Sequence, residues 1–193
     1  MGENRIKLVA ADMDGTLLNR ERKITKYTQD VIKKAMAQGV YFVPATGRAV
    51  NALPPELKEM EGIRYGIFSN GATIYDLKEE KVIYKNHFEM DRVLELMDFL
   101  KQFDLMESIS LNGQSYANKK EMQNIDYYEL DSNTKAIVQG SRVLVDDLEM
   151  FVKEQSTTVE KTTLLFKTME ERQRAADALS KIEDIQFSSS LPK

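Results

Sequence analysis

The amino-acid sequence predicts an α/β fold: a parallel sheet with crossing helices in the N-terminal half, followed by an α+β module. Three observations lead there. Strand-like and helix-like patterns alternate through about the first 70 residues, the order of a parallel sheet. Each of three predicted strands closes on a polar residue: Asp12, Thr46 and Asn70. Beyond Ala72 the patterning changes to hairpins and shorter helices.

The elements follow in order. Ile6–Ala11 is an apolar run ending near two aspartates, which suits a mostly buried strand. Arg20–Lys23 is charged and reads as a solvated loop. Thr25 is placed to N-cap the next helix, where Tyr27, Val31, Ile32, Ala35 and Met36 recur at helical spacing. Gly39 is a natural stop for it. Val40–Ala45 is a second strand, with Thr46-Gly47-Arg48 at its end. Pro54-Pro55 interrupts one helical stretch and can open another, since proline suits the first helical turn. Tyr65–Ser69 is the third strand, closed by the turn pair Asn70-Gly71.

Thr73–Tyr75 and Lys81–Lys85 then read as a hairpin around Asp76–Glu80. A helix over Asp91–Phe103 carries Val93, Met97 and Leu100 on one stripe. Strands at Met106–Leu111 and Ser115–Ala117 precede helices near Lys119–Leu130 and Asp146–Gln155. A strand at Thr162–Phe166, a helix over Glu170–Ile182 and a strand at Ile185–Ser188 complete the pattern, with residues 139–142 as a loop. The change of style puts a domain boundary within residues 80–86, giving 1–84 and 85–193.

Composition narrows the chemistry. At 42% hydrophobic and 30% charged, 193 residues can bury a substantial core. A net charge of -4 argues against a nucleic-acid partner, which wants a basic stripe. With no cysteine and a single histidine, His87, thiolate catalysis and histidine clusters are excluded. His87 itself reads as a surface or satisfied core residue. No apolar run reaches a membrane span of about 20 residues, and no signal-peptide core opens the chain, so the cytoplasm is the expected compartment.

The run Asp12-Met13-Asp14-Gly15-Thr16-Leu17 carries the chemistry. Side chains two apart in extended chain point the same way, so Asp12 and Asp14 can share one pocket at a strand end. Adjacent carboxylates repel and want a cation or a proton. Magnesium takes oxygen ligands, phosphate oxygens among them. One carboxylate could then attack phosphorus while its neighbour protonates the leaving oxygen. Such an acid needs its pKa raised about 2–3 units above the ordinary ~3.9. The competing reading is a plain turn at a strand end; a calcium loop fails because Gly15 comes too early. Thr46-Gly47-Arg48 is either a strand-to-helix turn or a phosphate cradle of hydroxyl and unhindered N–H. Arg48 either binds a second anionic group or pairs with an acid, and Asn70-Gly71 is either a turn or a substrate contact.

The stretch Val9–Leu18, with Asp12-Met13-Asp14-Gly15-Thr16 at its centre, resembles the first signature of the haloacid dehalogenase superfamily. Ala45-Thr46-Gly47-Arg48 resembles the second, and Ser69-Asn70-Gly71-Ala72 resembles a block of the Cof-like sugar-phosphatase branch. The resemblance implies a Rossmann-like core with an inserted α+β cap, and a magnesium-dependent phosphatase of small phosphorylated metabolites. It makes Asp12 the nucleophile and Asp14 the general acid/base, with magnesium on the Asp12 carboxylate and the Asp14 carbonyl. Met13, Thr46 and Gly47 would bind phosphate, and Arg48, Asn70 and Gly71 substrate. A phosphomutase of the same superfamily and a non-catalytic fragment that binds a phosphorylated ligand or a partner are the alternatives.

Two family blocks have no counterpart here, the phosphate-neutralising lysine and the acidic metal block; Lys193 stands too early for the former. A missing charge about 4 Å from phosphate, at an effective dielectric near 20, costs about 4 kcal/mol. That is nearly a thousandfold in rate, so weak activity is expected. The resemblance also makes the Asp12 strand central, so without later strands its edge would lie open. A homo-oligomer, a terminus folded over that edge, or poor solubility is the expected result.

Overall fold

A computed structural model describes residues 5–189; the expectations placed on Met1–Asn4 and on the Ser190–Lys193 end lie outside that range. The chain divides into two compact units, Met1–His87 and Phe88–Lys193.

The first unit runs β1 (Leu8–Asp12), α1 (Lys26–Ala37), β2 (Tyr41–Ala45), α2 (Pro55–Lys58), β3 (Tyr65–Phe68), β4 (Thr73–Asp76) and β5 (Lys81–Lys85). Its sheet has the order β1-β2-β3-β4-β5, with β1, β2 and β3 parallel and β3, β4 and β5 antiparallel. The punctuation works as read. The Thr25 hydroxyl caps α1 by accepting from Thr28 N, Gly39 takes the left-handed φ of 83° just beyond the helix, and Pro55 opens α2. Met13, Leu18, Ile32, Phe42, Leu57 and Phe68 build the core.

Pro44 shapes the middle of this sheet. Thr46 N donates to Ile67 O while Tyr41 N donates to Lys7 O, so even-numbered residues of β2 face β3 and odd ones face β1. Pro44 therefore withholds its donor from the β3 side. The β2–β3 register accordingly reduces to Ala45 opposite Ile67, whereas β1–β2 is paired over five positions.

One expectation fails here. The β1 strand is not mostly buried: Leu8 is 54% and Val9 37% exposed. It is the outer strand of the sheet, and among the described residues no strand pairs its far edge. Apolarity alone cannot distinguish a central strand from an uncovered one.

The second unit contains α3 (Met90–Leu100), β6 (Leu105–Leu111), β7 (Gln114–Asn118), α4 (Lys119–Gln123), α5 (Ser132–Ser141), β8 (Arg142–Val145), α6 (Leu148–Lys153), β9 (Val159–Phe166) and α7 (Met169–Leu179). Its sheet has the order β8-β7-β6-β9, in which β7 and β8 are parallel and the other pairs antiparallel. Val93, Met97 and Leu100 of α3 are buried as predicted.

Three local readings change. Residues 139–142 are not a loop but the end of α5 and the start of β8. The polar α5 sequence hides its helix; Asp131 supplies the cap, accepting from Asn133 N at 2.9 Å and Thr134 N at 3.1 Å. The helix near 119–130 splits into α4 and a 3-10 turn over Ile125–Tyr128, which ends at Glu129 in the left-handed region. Ile185–Ser188 forms no strand. No described helix is long and apolar enough to cross a membrane.

Candidate active site

The parallel register builds the site. Asp12 lies opposite Ala45, and Ala45 opposite Ile67, so the chain after β1, β2 and β3 emerges at one end of the sheet. Ligands of parallel sheets collect beyond these carboxyl ends. After β1 the backbone tightens: Met13 O accepts from Leu17 N at 3.1 Å and from Leu18 N at 2.9 Å, with Gly15 at φ 82°. A side chain at Gly15 would be strained in that region. The Met13 side chain is fully buried, anchoring the turn so that Asp12 and Asp14, on either side of it, stay exposed.

The two loops after β2 and β3 are tied together. Ser69 N donates to Arg48 O at 3.0 Å and Asn70 N to Thr46 O at 3.2 Å. Ser69, Asn70 and Gly71 all have positive φ, at 52°, 59° and 95°. Thr46 is buried and its hydroxyl accepts from Arg48 N at 3.1 Å. The sequence reading put Ser69 at the end of the third strand and in the Ser69–Ala72 block without a site role; it is buried and left-handed instead, and a serine before Asn-Gly carries no signal of that backbone.

The side chains then sort by role. Asp12 Oδ2 accepts from the Thr16 hydroxyl at 3.4 Å, a long bond that leaves the carboxylate available. Asp14 is engaged. Arg48 Nη2 donates to its Oδ1 at 2.6 Å and Arg48 Nε to its Oδ2 at 2.9 Å, a two-pronged ion pair. The third guanidinium nitrogen, Nη1, donates to Ala52 O at 3.3 Å. Of the two readings left open for Arg48, this geometry is the pairing one, and its partner is the exposed candidate acid/base itself. In this geometry both oxygens of Asp14 are committed, so neither is placed to carry a proton to a leaving group.

The donor set suits a hard cation in part. Asp12 offers an exposed carboxylate, and Asp14, its side chain taken, offers its carbonyl. Among the described residues no group of three or more Asp, Glu, His or Cys side chains gathers as a metal cluster. Magnesium keeps several waters and is commonly held by one or two carboxylates plus phosphate oxygens, which this set permits. His87 is satisfied: its Nε2 lies 2.8 Å from the Thr73 hydroxyl.

A family model described as haloacid dehalogenase-like hydrolase matches residues 9–192. The chain belongs to that family. A Buchnera aphidicola (subsp. Schizaphis graminum) protein, provisionally named a phosphatase, is 38% identical over 121 residues, covering 61% of this chain and 43% of the relative. The Bacillus subtilis 5-amino-6-(5-phospho-D-ribitylamino)uracil phosphatase YcsE is 37% identical over 89 residues, covering 44% and 36%. The chain thus spans less than half the length of these relatives. Among solved structures, a haloacid dehalogenase-like hydrolase from B. subtilis superposes with a TM-score of 0.78 at 20% identity, over 96% of this chain and 70% of that one. A subclass IIB sugar phosphatase of the superfamily gives 0.66 at 21% identity, over 90% and 64%. At these identities the likeness is one of fold.

Proposed function

We propose that the chain is the nucleophile-bearing part of a magnesium-dependent phosphatase acting on small phosphorylated metabolites of the sugar-phosphate kind, in a cytoplasmic setting. Asp12 and Asp14 are its catalytic pair, with residues 1–84 as its core and 85–193 as its cap; the division into compact units at Met1–His87 and Phe88–Lys193 supports this reading. One observation carries this reading: an available carboxylate, Asp12, stands at the end of a parallel strand beside a second strand end bearing Thr46.

The chemistry follows from the groups present. An Asp12 oxygen attacks phosphorus and the bond from phosphorus to the ester oxygen breaks, leaving an aspartyl-phosphate; Asp14 supplies the proton to the departing alkoxide. Water then attacks phosphorus, Asp14 takes its proton, and Asp12 is released with inorganic phosphate. The Thr46 hydroxyl and the Met13 and Gly47 N–H groups hold the phosphoryl oxygens, and Arg48, Asn70 and Gly71 meet the rest of the substrate. Magnesium, held by the Asp12 carboxylate and the Asp14 carbonyl, would offset charge between carboxylate and phosphate.

For Asp14 to act, Arg48 must release it. An anionic group arriving at the site competes for the guanidinium, so substrate itself would free the acid. Until then the pair favours binding without turnover, which supports slow hydrolysis by this 193-residue chain or a purely phosphoryl-binding role. Phosphate release from p-nitrophenyl phosphate with magnesium, wild type beside Asp12→Asn, separates the two. Equal release from both proteins overturns the catalytic reading; saturable phosphate binding without release supports the binding one.

A further inference from the structure

The sheet of the second unit ends on β8, and among the described residues no strand pairs its outer edge. Alternate residues of an outer strand turn both N–H and C=O outward, a template for another strand. The side chains at this edge are apolar and uncovered. Val143 is 45% and Leu144 43% exposed, and Met150 of the following helix is 60% exposed. They make up half of the six large, exposed apolar side chains among the unit's described residues, so the exposure is concentrated here. Leu144, Val145, Met150 and Phe151 line an open groove of about 510 Å³ beside the strand.

The order of residues makes this edge complementary to itself. Two copies of a strand related by a two-fold axis pair antiparallel, and the residue on the axis faces its own counterpart. With the axis at Leu144, Leu144 faces Leu144 of the copy, Val143 faces Val145, and Arg142 faces Asp146. Each apolar side chain then meets an apolar one, and a cation stands opposite an anion. Moving the axis by one residue destroys the match. At Val145, Leu144 would face Asp146 and Val143 would face Asp147; at Val143, Asp146 would face Gly140 and Val145 would face Ser141. The outer strand β5 of the first unit lacks the property: centred on Ile83, it would set Lys81 against Lys85 of its copy.

The charges at the two ends are arranged for this. Arg142 is held in place: its Nε donates to the Ser108 hydroxyl at 3.1 Å and its Nη1 to Val138 O at 3.2 Å. The Asp146 side chain is 94% exposed, and its contact with Lys119 is long, at 3.9 Å. Because the guanidinium leans inward over the sheet, the two charges act at a distance and set register more than affinity. So short a strand pair buries less than a standard interface, so the association is weak and depends on concentration.

We propose that β8 is an interface between two copies of this chain, which pair antiparallel about Leu144 and join their second sheets into one. The backbone supplies the hydrogen bonds, the valines and leucines the buried area, and Arg142 with Asp146 the register. The interface stands whether or not Asp12 performs chemistry.

The chain has no cysteine, so single introduced thiols report the pairing. Every variant also carries Leu8→Lys, which blocks the β1 edge. Directly opposed residues lie about 5 Å apart between Cα atoms, within reach of a disulfide. Leu144→Cys, oxidised with diamide, should therefore form a covalent dimer at least about tenfold faster than Met169→Cys, an exposed control on α7. Val143→Cys would meet its own counterpart at about 8 Å, beyond that reach. It should couple slowly alone and quickly when mixed with Val145→Cys, a selectivity that random collision does not produce. In analytical ultracentrifugation, Leu144→Lys should raise the dimer Kd at least about tenfold. If Val145→Cys unfolds, the rate at Leu144 against that at Met169 decides. Equal rates at those two positions, equal coupling of Val143→Cys with itself and with Val145→Cys, or a dimer untouched by Leu144→Lys overturns the proposal.

Discussion

The two sheets collect polar groups in different ways. In the first unit the chemistry gathers at strand ends: Asp12 closes β1, Thr46 and Asn70 come just after β2 and β3, and hydrogen bonds from Asn70 N and Ser69 N lock two of the loops together. In the second unit it gathers across a face, where Arg142, Ser115, Ser110 and Lys161 align through cross-strand register. Parallel strands repeat their carboxyl ends at one edge, so a short local sequence brings a site with it. A face assembled from antiparallel and parallel neighbours draws single residues from distant parts of the chain. The first kind of site can be read locally; the second cannot.

The sharpest break of this comparison is Asp12→Asn. It should lower phosphate release at least about a thousandfold, since it removes the bond-forming oxygen. The same variant should leave amide shifts in the second unit unchanged. A residual rate within tenfold of wild type would remove the first unit's claim to the chemistry.

Next in size is Glu107, in the middle of β6. It is buried, its Oε1 has no hydrogen-bond partner among the described residues, and burial, then the charges of Glu121 and Glu149, raise its pKa from 4.5 to about 7. The folded protein therefore keeps a proton that the unfolded chain loses near 4.5. Stability should fall as pH rises between those values and level off above 7, by about 3 kcal/mol in all. Glu107→Gln should abolish that slope and stabilise the protein at pH 8, as read by urea unfolding at pH 5 and pH 8. An unchanged slope would mean that this carboxyl finds water or a partner on folding.

Arg48→Ala sharpens the role of the first unit's cation. If substrate phosphate draws Arg48 from Asp14, the Kd for inorganic phosphate should rise about tenfold, the worth of one charge-assisted hydrogen bond. An unchanged Kd would keep Arg48 on Asp14 throughout.

The exposed edge offers a further contrast. β1 presents Leu8 and Val9, while β6 is paired on both sides. Open apolar edges associate. We expect concentration-dependent dimers in analytical ultracentrifugation and a shift toward monomer in Leu8→Lys; a monomer at all concentrations would disprove it. Smallest is Thr25→Ala, which loses the cap on α1 and should cost about 1 kcal/mol by thermal unfolding.

Punctuation residues were the reliable part of the sequence. Thr25, Gly39, Pro55 and Asn70-Gly71 mark local backbone events, and each marks one in the structure. The helix over Ser132–Ser141 escaped because its residues are polar and its stability comes from Asp131 and the buried Thr134 and Val138. In the candidate site the residue types were legible, since spacing brings Asp12 and Asp14 together and a glycine follows. The hold of Arg48 on Asp14 was not, for it joins side chains 34 positions apart.

The sequence by itself determined the strand-and-helix order of the first unit, the ends on which its polar residues fall, and the family. These depend on short-range periodicity and backbone conformation, which a local stretch encodes. Tertiary structure alone decided that Arg48 occupies Asp14, and that Arg142, Ser115, Ser110 and Lys161 of four strands fall in one cross-strand line. Those outcomes depend on register and on which strands become neighbours, properties that no single segment contains.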